Sequence, residues 1–334
     1  MQYEPRDSRR RRRRRRQLIR FLRALPVLLG IAVAAYGLTR LIGYGADRSE
    51  ARRTAQEMRD VYYAETAAPE ESREPAAAPA PAETAASLPE ATPEATAHPA
   101  PAAEPAAAPT EAPAVRLPAV SYPGNPGRKI SARFKALQKE SKYIIGWLKI
   151  GTMLDQPVVQ RDDTYYMNHD VKGNPNANGA IFLDALTSLK TRPYTYTLYG
   201  HNMKSGEMFG CLRNFEKISF YRNYPFISFD TQYEDGRYVV FAVGTVNTDE
   251  GKGNSLDLYD LRSSDTAVRQ AAIDKLISAS VHTCPIDVQP EDQLLVLVTC
   301  VEKDADRRVV AARRVRDGES EEYLKQLAER SRNK

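Results

Sequence analysis

The sequence predicts a mainly β fold, with one barrel-like domain in roughly the last 200 of the 334 residues. Short runs of branched and aromatic residues recur there, and turn-forming clusters separate them. Few helical patterns interrupt the series. Seven or eight short strands with so few helices are typical of a barrel.

The elements of this domain can be read in order from about Gly127. An opening helix is read from SARFKALQKES, with Phe134 and Leu137 on one side. The predicted strands are YIIGWLKI, LDQPVVQ, GAIFLDAL, PYTYTLYGH, PFISFDT, GRYVVFAVGTVNT, DQLLVLVTC and RRVVAARRV. One helix interrupts them, DTAVRQAAIDKLISAS, whose apolar residues at helical spacing are Ala267, Ala271, Ile273 and Leu276. A last helix, ESEEYLKQLAERS, closes the domain.

Charge is concentrated at the N-terminus. Residues 1–23 hold eleven arginines against Glu4 and Asp7, so this basic tail carries +9. The whole chain carries +5, which leaves −4 for residues 24–334. Only the tail could therefore favour nucleic-acid binding, and we predict no nucleic-acid partner.

An apolar run follows the tail, and residues 24–46 are long enough for a transmembrane anchor if Arg40 extends to the interface. The arginines would hold the N-terminus in the cytoplasm and contact anionic membrane lipid. A cleaved signal peptide and a twin-arginine export signal remain alternatives. The prediction is a single-pass protein of the cell membrane with its folded domain outside.

Residues 47–126 are predicted to be an extracellular linker, rich in Ala, Pro and Glu and disordered from about residue 65. Residues 127–334 would form the catalytic domain. Three cysteines, Cys211, Cys284 and Cys300, are too few for a disulfide scaffold.

Cys300 ends the continuous apolar run LLVLV, which is typical of a strand buried on both faces. A thiol at the rim of such a strand is rigidly held yet reachable, which suits a nucleophile. A buried structural cysteine is the alternative. Another cysteine, Cys211 in the segment FGCLRNF, is expected to pack in the core.

His201 follows the strand YTYTLYG, and Gly200 lets the chain turn there. An imidazole can take the proton of a thiol and deliver it to a leaving amine. Arg307 and Arg308 open a later strand, and a guanidinium there can stabilise an oxyanion. Only one of the two can point toward Cys300, because neighbours on a strand face opposite sides.

Cofactor and metal chemistry is not predicted. Cys284, Cys300, His282 and His201 lack the close cysteine pairs of structural zinc sites. Phosphate-binding glycine loops and a serine nucleophile elbow are absent from the sequence.

Three motifs in this order, TLYGHNM, LVLVTC and RRVVAARR, resemble the histidine, cysteine and arginine motifs of the sortases, specifically class B of Gram-positive bacteria. The segments IIGWLKI, PVVQRDDTYYMNHD and NGAIFLD are also similar to that class, and the resemblance covers about residues 131–315. It implies a closed barrel of about eight strands, with one helix inserted before the cysteine strand.

The resemblance implies a membrane-anchored cysteine transpeptidase. Cys300 would attack a C-terminal sorting signal of an exported protein, and His201 would move the proton. A cell-wall amine, from a peptidoglycan precursor or cross-bridge, would resolve the thioacyl-enzyme. Arg307 would stabilise the oxyanion, with Arg308 as the alternative, since the loop from cysteine to arginine looks short for the class. Val298 stands where class B members often have serine, so the resemblance implies no side-chain hydroxyl contact to the sorting signal at this position.

Other functions compatible with these motifs are a pilin-polymerising sortase, a cysteine endopeptidase and a non-catalytic wall-binding barrel. Loss of the cysteine, histidine or arginine would favour the last, and none is lost.

Overall fold

The structure is a computed structural model that describes residues 6–66, 120–122, 127–249, 251, 253–301 and 305–334. The side chains of residues 6–28, 40, 41, 44, 66 and 300 are not among those described. Most of the predicted disordered linker, at 67–119 and 123–126, therefore lies outside the described residues.

The helices and strands follow the predicted order. The helices are α1 (Arg6–Thr66), α2 (Ala132–Glu140), α3 (Ile218–Asn223), α4 (Thr266–Ala279) and α5 (Glu321–Glu329). Short 3₁₀ helices span Tyr165–Met167, Phe209–Glu216 and Leu258–Arg262. The strands are β1 (Ile144–Ile150), β2 (Leu154–Val159), β3 (Ile181–Leu183), β4 (Thr195–Tyr199), β5 (Phe226–Thr231), β6 (Arg237–Asn247), β7 (His282–Thr283), β8 (Leu294–Cys300), β9 (Asp306–Arg314) and β10 (Arg332–Asn333).

Eight of these strands form a closed barrel in the order β1-β2-β3-β4-β8-β9-β6-β5, and β5 pairs with β1 to close it. The pairs β2–β3 and β4–β8 are parallel, and the other neighbours are antiparallel. The predicted closed barrel of about eight strands is confirmed. The remaining strands, β7 and β10, form a separate two-stranded sheet.

Strand β8 is covered by buried residues on both of its faces, which explains its unbroken apolar sequence. Leu295 and Leu297 are fully buried among the residues inside the barrel. Val296 and Val298 are fully buried on the other face, in a second layer that includes α4. A strand covered on both faces needs apolar residues at every position, as the LLVLV run predicts.

Helix α4 forms where it is predicted, between β6 and β8, but its buried face differs from the predicted one. Ile273 and Leu276 are buried as expected, whereas Ala267 and Ala271 are exposed. Arg269 and Ala272 take their places on the buried face. Arg269 can be buried because its guanidinium donates to the Pro290 carbonyl at 2.8 Å and lies over an aromatic ring.

The C-terminal part of α1 packs against the barrel and α2. Met58 and Tyr62 are buried with Phe134 and Leu137, and the Tyr62 ring stacks on Trp147 at 4.2 Å. The sequence assigns residues 47–126 to a linker, and the contacts of residues 47–63 were not foreseen. They depend on partners about 100 residues away, which local composition does not reveal.

Within the described residues, none of the helices combines the length and the apolar character that a membrane span requires. The anchor predicted over residues 24–46 falls in α1, partly on side chains that are not described, and it stays a prediction.

Candidate active site

Three neighbouring strands bring the predicted site residues into one row. Strands β4 and β8 are parallel, with Tyr199 opposite Val298, and the amide of Gly200 continues the ladder to the Val298 carbonyl at 3.3 Å. His201 lies two residues beyond Tyr199, just past the end of β4, and Cys300 lies two residues beyond Val298, at the end of β8. On the other side of β8, Cys300 pairs directly with Arg307 of β9.

The end of β8 is tied to the histidine-bearing segment by a side-chain hydrogen bond. The Thr299 hydroxyl donates to the Gly200 carbonyl at 2.7 Å, and Thr299 is 2 % exposed. The backbone on either side of this bond leads to Cys300 and to His201. The bond therefore fixes the spacing of the two segments at the rim of the barrel.

Gly200 is required by a close approach. A Cβ atom built on Gly200 would lie 3.0 Å from two ring atoms of Phe209, which is tighter than ordinary contact. Phe209 is fully buried. Its backbone lies beside that of His201, because the Phe209 amide donates to the His201 carbonyl at 3.0 Å. The sequence predicts a glycine turn here. The structure shows that the Phe209 ring occupies the space next to Gly200 where a side chain would lie.

The His201 ring is oriented by a backbone carbonyl. Its Nε2 atom lies 2.5 Å from the carbonyl oxygen of Met167. A carbonyl can only accept, so Nε2 carries a proton in this arrangement and donates it. The ring is half-buried, which leaves it accessible from the cavity beside it.

The two adjacent arginines of β9 have different surroundings. Arg307 is half-buried, lines the same cavity as His201 and donates to the Asp306 carbonyl at 3.1 Å. The guanidinium of Arg308 instead pairs with Glu216, with Nε 2.7 Å from the carboxylate oxygen. The structure thus brings His201 and Arg307 together and places Arg308 in a different ion pair.

The cavity has a volume of about 280 Å³. Its apolar and aromatic lining includes Met167, Phe182, Tyr199 and Tyr259. His201 adds an imidazole to the lining, and Arg307 adds a guanidinium. Burial, with Asp184 nearby, raises the pKa of Tyr199. That hydroxyl therefore stays protonated. A mostly apolar cavity with a few polar groups is typical of a ligand-binding site.

The sequence did not single out Tyr259, which lies in the 3₁₀ helix Leu258–Arg262 at the cavity mouth and is 49 % exposed. Arg262 of the same helix pairs with the buried Asp184 at 2.6 Å. The strand and helix patterns give no signal for this segment, because its position depends on that distant ion pair.

Cys211 and His282 have structural surroundings. Cys211 is buried in the 3₁₀ helix with Phe209, Leu212 and Phe215, as predicted. His282 is buried, and its Nε2 lies 2.8 Å from the Phe215 carbonyl. Over the described part of the chain, no three His, Cys, Asp or Glu side chains lie close enough together to hold a metal ion.

Comparisons with known proteins agree with this geometry. The sequence model of the family described as "Sortase domain" matches residues 149–315. The sortase B of Staphylococcus aureus (strain NCTC 8325 / PS 47) is 29 % identical over 190 residues, which cover 56 % of this chain and 75 % of that protein.

Two crystal structures illustrate the structural similarity. Sortase B from Bacillus anthracis in complex with AAEK2 is 30 % identical with a TM-score of 0.50, covering 57 % of this chain and 85 % of that one. The Staphylococcus aureus sortase B–substrate complex is 27 % identical with a TM-score of 0.51, covering 57 % and 88 %.

The fold and the matched domain define a transpeptidase of the sortase type. The chain belongs to the sortase family, and its relatives are sortase B proteins. The family resemblance predicted from the three motifs is confirmed.

Proposed function

We propose that this chain is a class B cysteine transpeptidase that cleaves a C-terminal sorting signal and transfers the acyl group to a cell-wall amine. The alignment of Cys300 on β8 with Arg307 on β9, and of the end of β4, which leads to His201, beside β8, supports this proposal most directly. His201 and Arg307 line one cavity, and the backbone of Cys300 lies on β8, between β4, which leads to His201, and β9, which carries Arg307.

In the first half-reaction the Cys300 sulfur attacks the carbonyl carbon of the scissile peptide bond. His201 accepts the thiol proton, and the Arg307 guanidinium stabilises the oxyanion that forms. The C–N bond then breaks as His201 gives its proton to the leaving amine. The products are a thioacyl-enzyme and the released C-terminal fragment.

In the second half-reaction an amine attacks the thioester carbonyl carbon. His201 takes a proton from the attacking nitrogen, and the C–S bond breaks to return the Cys300 sulfur. That sulfur regains its proton from His201. The net reaction exchanges one amide bond for another, so it needs neither a metal nor a redox cofactor.

The proposed setting is the outer side of the cell membrane, and it rests on the sequence. The arginine-rich tail would remain in the cytoplasm and contact membrane lipid, and residues 24–46 would form the single span. The substrates are then exported proteins, and the amine belongs to a peptidoglycan precursor or cross-bridge.

The test uses the full chain in detergent with a library of fluorogenic pentapeptide sorting signals. We expect cleavage of a small set of peptides, and loss of that cleavage in Cys300→Ala with an unchanged circular dichroism spectrum. Cleavage that persists in Cys300→Ala would contradict the mechanism. No cleavage of any peptide by the folded wild type, with or without an added amine, would favour a wall-binding barrel.

The acceptor distinguishes the remaining alternatives. Added cell-wall amines should appear in the product and accelerate turnover. Cross-linking to a pilin lysine would instead indicate a polymerising enzyme. Hydrolysis that no amine accelerates would indicate an endopeptidase.

A further inference from the structure

We propose that helix α1 positions the catalytic histidine by clamping the loop that carries it. The clamp consists of Arg48 and Arg52 on α1 and Glu207 on the His201 loop, defined as residues 201–210. This proposal rests on the proposed function for His201, and it makes Glu207 a positioning residue.

The clamp joins two guanidinium groups to one carboxylate. Arg48 Nε lies 3.0 Å from Glu207, and Arg52 Nε lies 2.5 Å from it. The two arginines are four residues apart, which places them on the same face of the helix. The Glu207 side chain is only 20 % exposed. Burial raises the pKa of Glu207, but hydrogen bonds from Arg48, Arg52 and Ser205 outweigh it and lower the pKa overall.

The helix side of the clamp is itself fixed. Tyr62, further along α1, is buried, stacks on Trp147 and donates its hydroxyl proton to Asp230 at 2.5 Å. Closer to the clamp, the Asp47 carbonyl accepts a hydrogen bond from the Asn176 amide at 2.9 Å. These contacts lie at both ends of the packed segment and hold α1 on the barrel.

The loop side of the clamp is coupled to His201 through the backbone. Asn202 and Met208 form a bridge across the loop, and the Phe209 amide bonds to the His201 carbonyl. Met208 follows Glu207 directly and has a left-handed backbone with φ +48°, which a non-glycine residue adopts only when its surroundings impose it. Movement of Glu207 would therefore reach the segment that carries the imidazole.

Apolar side chains also line the space between the loop and the helix, namely Ala51 and Ala55 of α1 and Met208 of the loop. A cavity of about 330 Å³ lies between them, with Arg52, Gln156, Asn178 and Glu207 in its lining. The ion pairs thus cross a space that side chains do not completely fill. An exposed ion pair usually contributes little to stability. Here the Glu207 side chain is 20 % exposed, whereas those of Arg48 and Arg52 are 37 % and 62 % exposed. The effect of the clamp is therefore expected in the geometry of the site rather than in stability.

The chain offers a matched control in a second ion pair between α1 and the barrel. Glu57 lies 2.8 Å from Lys172, outside the His201 loop. Glu57→Gln and Glu207→Gln each remove one carboxylate charge from an interface of α1. Only Glu207→Gln removes a charge that holds the loop.

The experiment compares both variants with wild type as full chains in detergent. We expect Glu207→Gln to lower kcat about tenfold with KM changed less than about twofold, because small displacements of a catalytic group slow the chemical step. The amides of Phe209 and Gly210 should exchange hydrogen about tenfold faster. Glu57→Gln should leave both quantities close to wild type. Inverting the clamp, with Arg48→Glu, Arg52→Glu and Glu207→Arg together, should restore most of the lost kcat.

Equal effects of the two variants, or no rescue by the inverted clamp, would overturn the proposal. Hydrogen exchange needs no substrate, so it separates this proposal from the proposed function. A wild type that cleaves no peptide would count against transpeptidation. Unchanged exchange at Phe209 in Glu207→Gln would count against the clamp.

Discussion

Cys300 and Arg307 are direct partners in the antiparallel ladder between β8 and β9. One step further from the rim, Thr299 is the partner of Arg308. The register therefore assigns the two arginines to successive rows of the barrel. Their surroundings differ accordingly, with Arg307 at the cavity and Arg308 beside Glu216.

Arg307→Ala should lower kcat/KM by about 100-fold or more, because the oxyanion would lose a preorganised cation. Arg308→Ala should change kcat/KM less than about threefold, since it breaks an ion pair in which Glu216 is 41 % exposed. Steady-state cleavage of the best peptide measures both. A larger loss in Arg308→Ala than in Arg307→Ala would reverse the assignment.

Gly200→Ala should slow turnover without unfolding the domain. The added methyl group would press on the Phe209 ring, and the His201 loop would have to shift by a few tenths of an ångström. We expect about a tenfold loss of kcat/KM, as for other small displacements of catalytic groups.

The matched control is Gly253→Ala, where a methyl group would meet no atom within 4 Å. Its activity and melting temperature should equal those of wild type. If Gly200→Ala were fully active, the close approach of Phe209 would not position the histidine.

The sequence predicts the barrel and the candidate site residues because both have local sequence patterns. The apolar run before Cys300 identifies a strand covered on both faces, and each candidate residue lies at the end of a patterned strand. The family resemblance places Arg307 and His201 in one active site, but the residue patterns alone do not, because a shared cavity depends on the pairing of β4, β8 and β9 across about 100 residues.

The sequence fails where a charged residue is buried or a partner is distant. The buried face of α4 includes Arg269, which a hydrophobic pattern does not count. The polar residues 47–63 resemble a solvated helix until Trp147 and Asp155 are placed beside them. In both cases a hydrogen bond or an aromatic stack from a remote segment offsets the cost of burial.

Tyr62→Ala should destabilise the domain by about 3 kcal/mol, because it removes a buried ring from the interface between α1 and the barrel. Tyr62→Phe should cost about 1 to 2 kcal/mol, since it removes only the hydroxyl that donates to Asp230. Urea denaturation of the full chain measures both. Tyr323→Ala is the control, because that ring is 57 % exposed. Equal midpoints for Tyr62→Ala and Tyr323→Ala would mean that α1 contributes little to the fold.

Asp287 links stability to acidic pH through a buried arginine pair. Burial raises the pKa of Asp287, but the hydrogen bond from Arg316 and the charge of Arg313 outweigh it and lower the pKa below the ordinary value of 3.8. Arg316 Nη1 lies 2.6 Å from this carboxylate, and both arginine side chains are fully buried.

The folded state therefore favours the ionised carboxylate more than the unfolded chain does. Its contribution to stability is fully present above pH 3.8 and is lost as the pH falls through the lower pKa of the folded state. Asp287→Asn should lower the free energy of unfolding at pH 7, because two buried guanidinium groups lose a charged partner. It should also flatten the loss of stability below pH 3.8. Urea denaturation between pH 3 and pH 7 measures both effects. Asp274→Asn is the control, because Asp274 is exposed. If the stability of Asp287→Asn fell with decreasing pH as steeply as that of wild type, the prediction would be wrong.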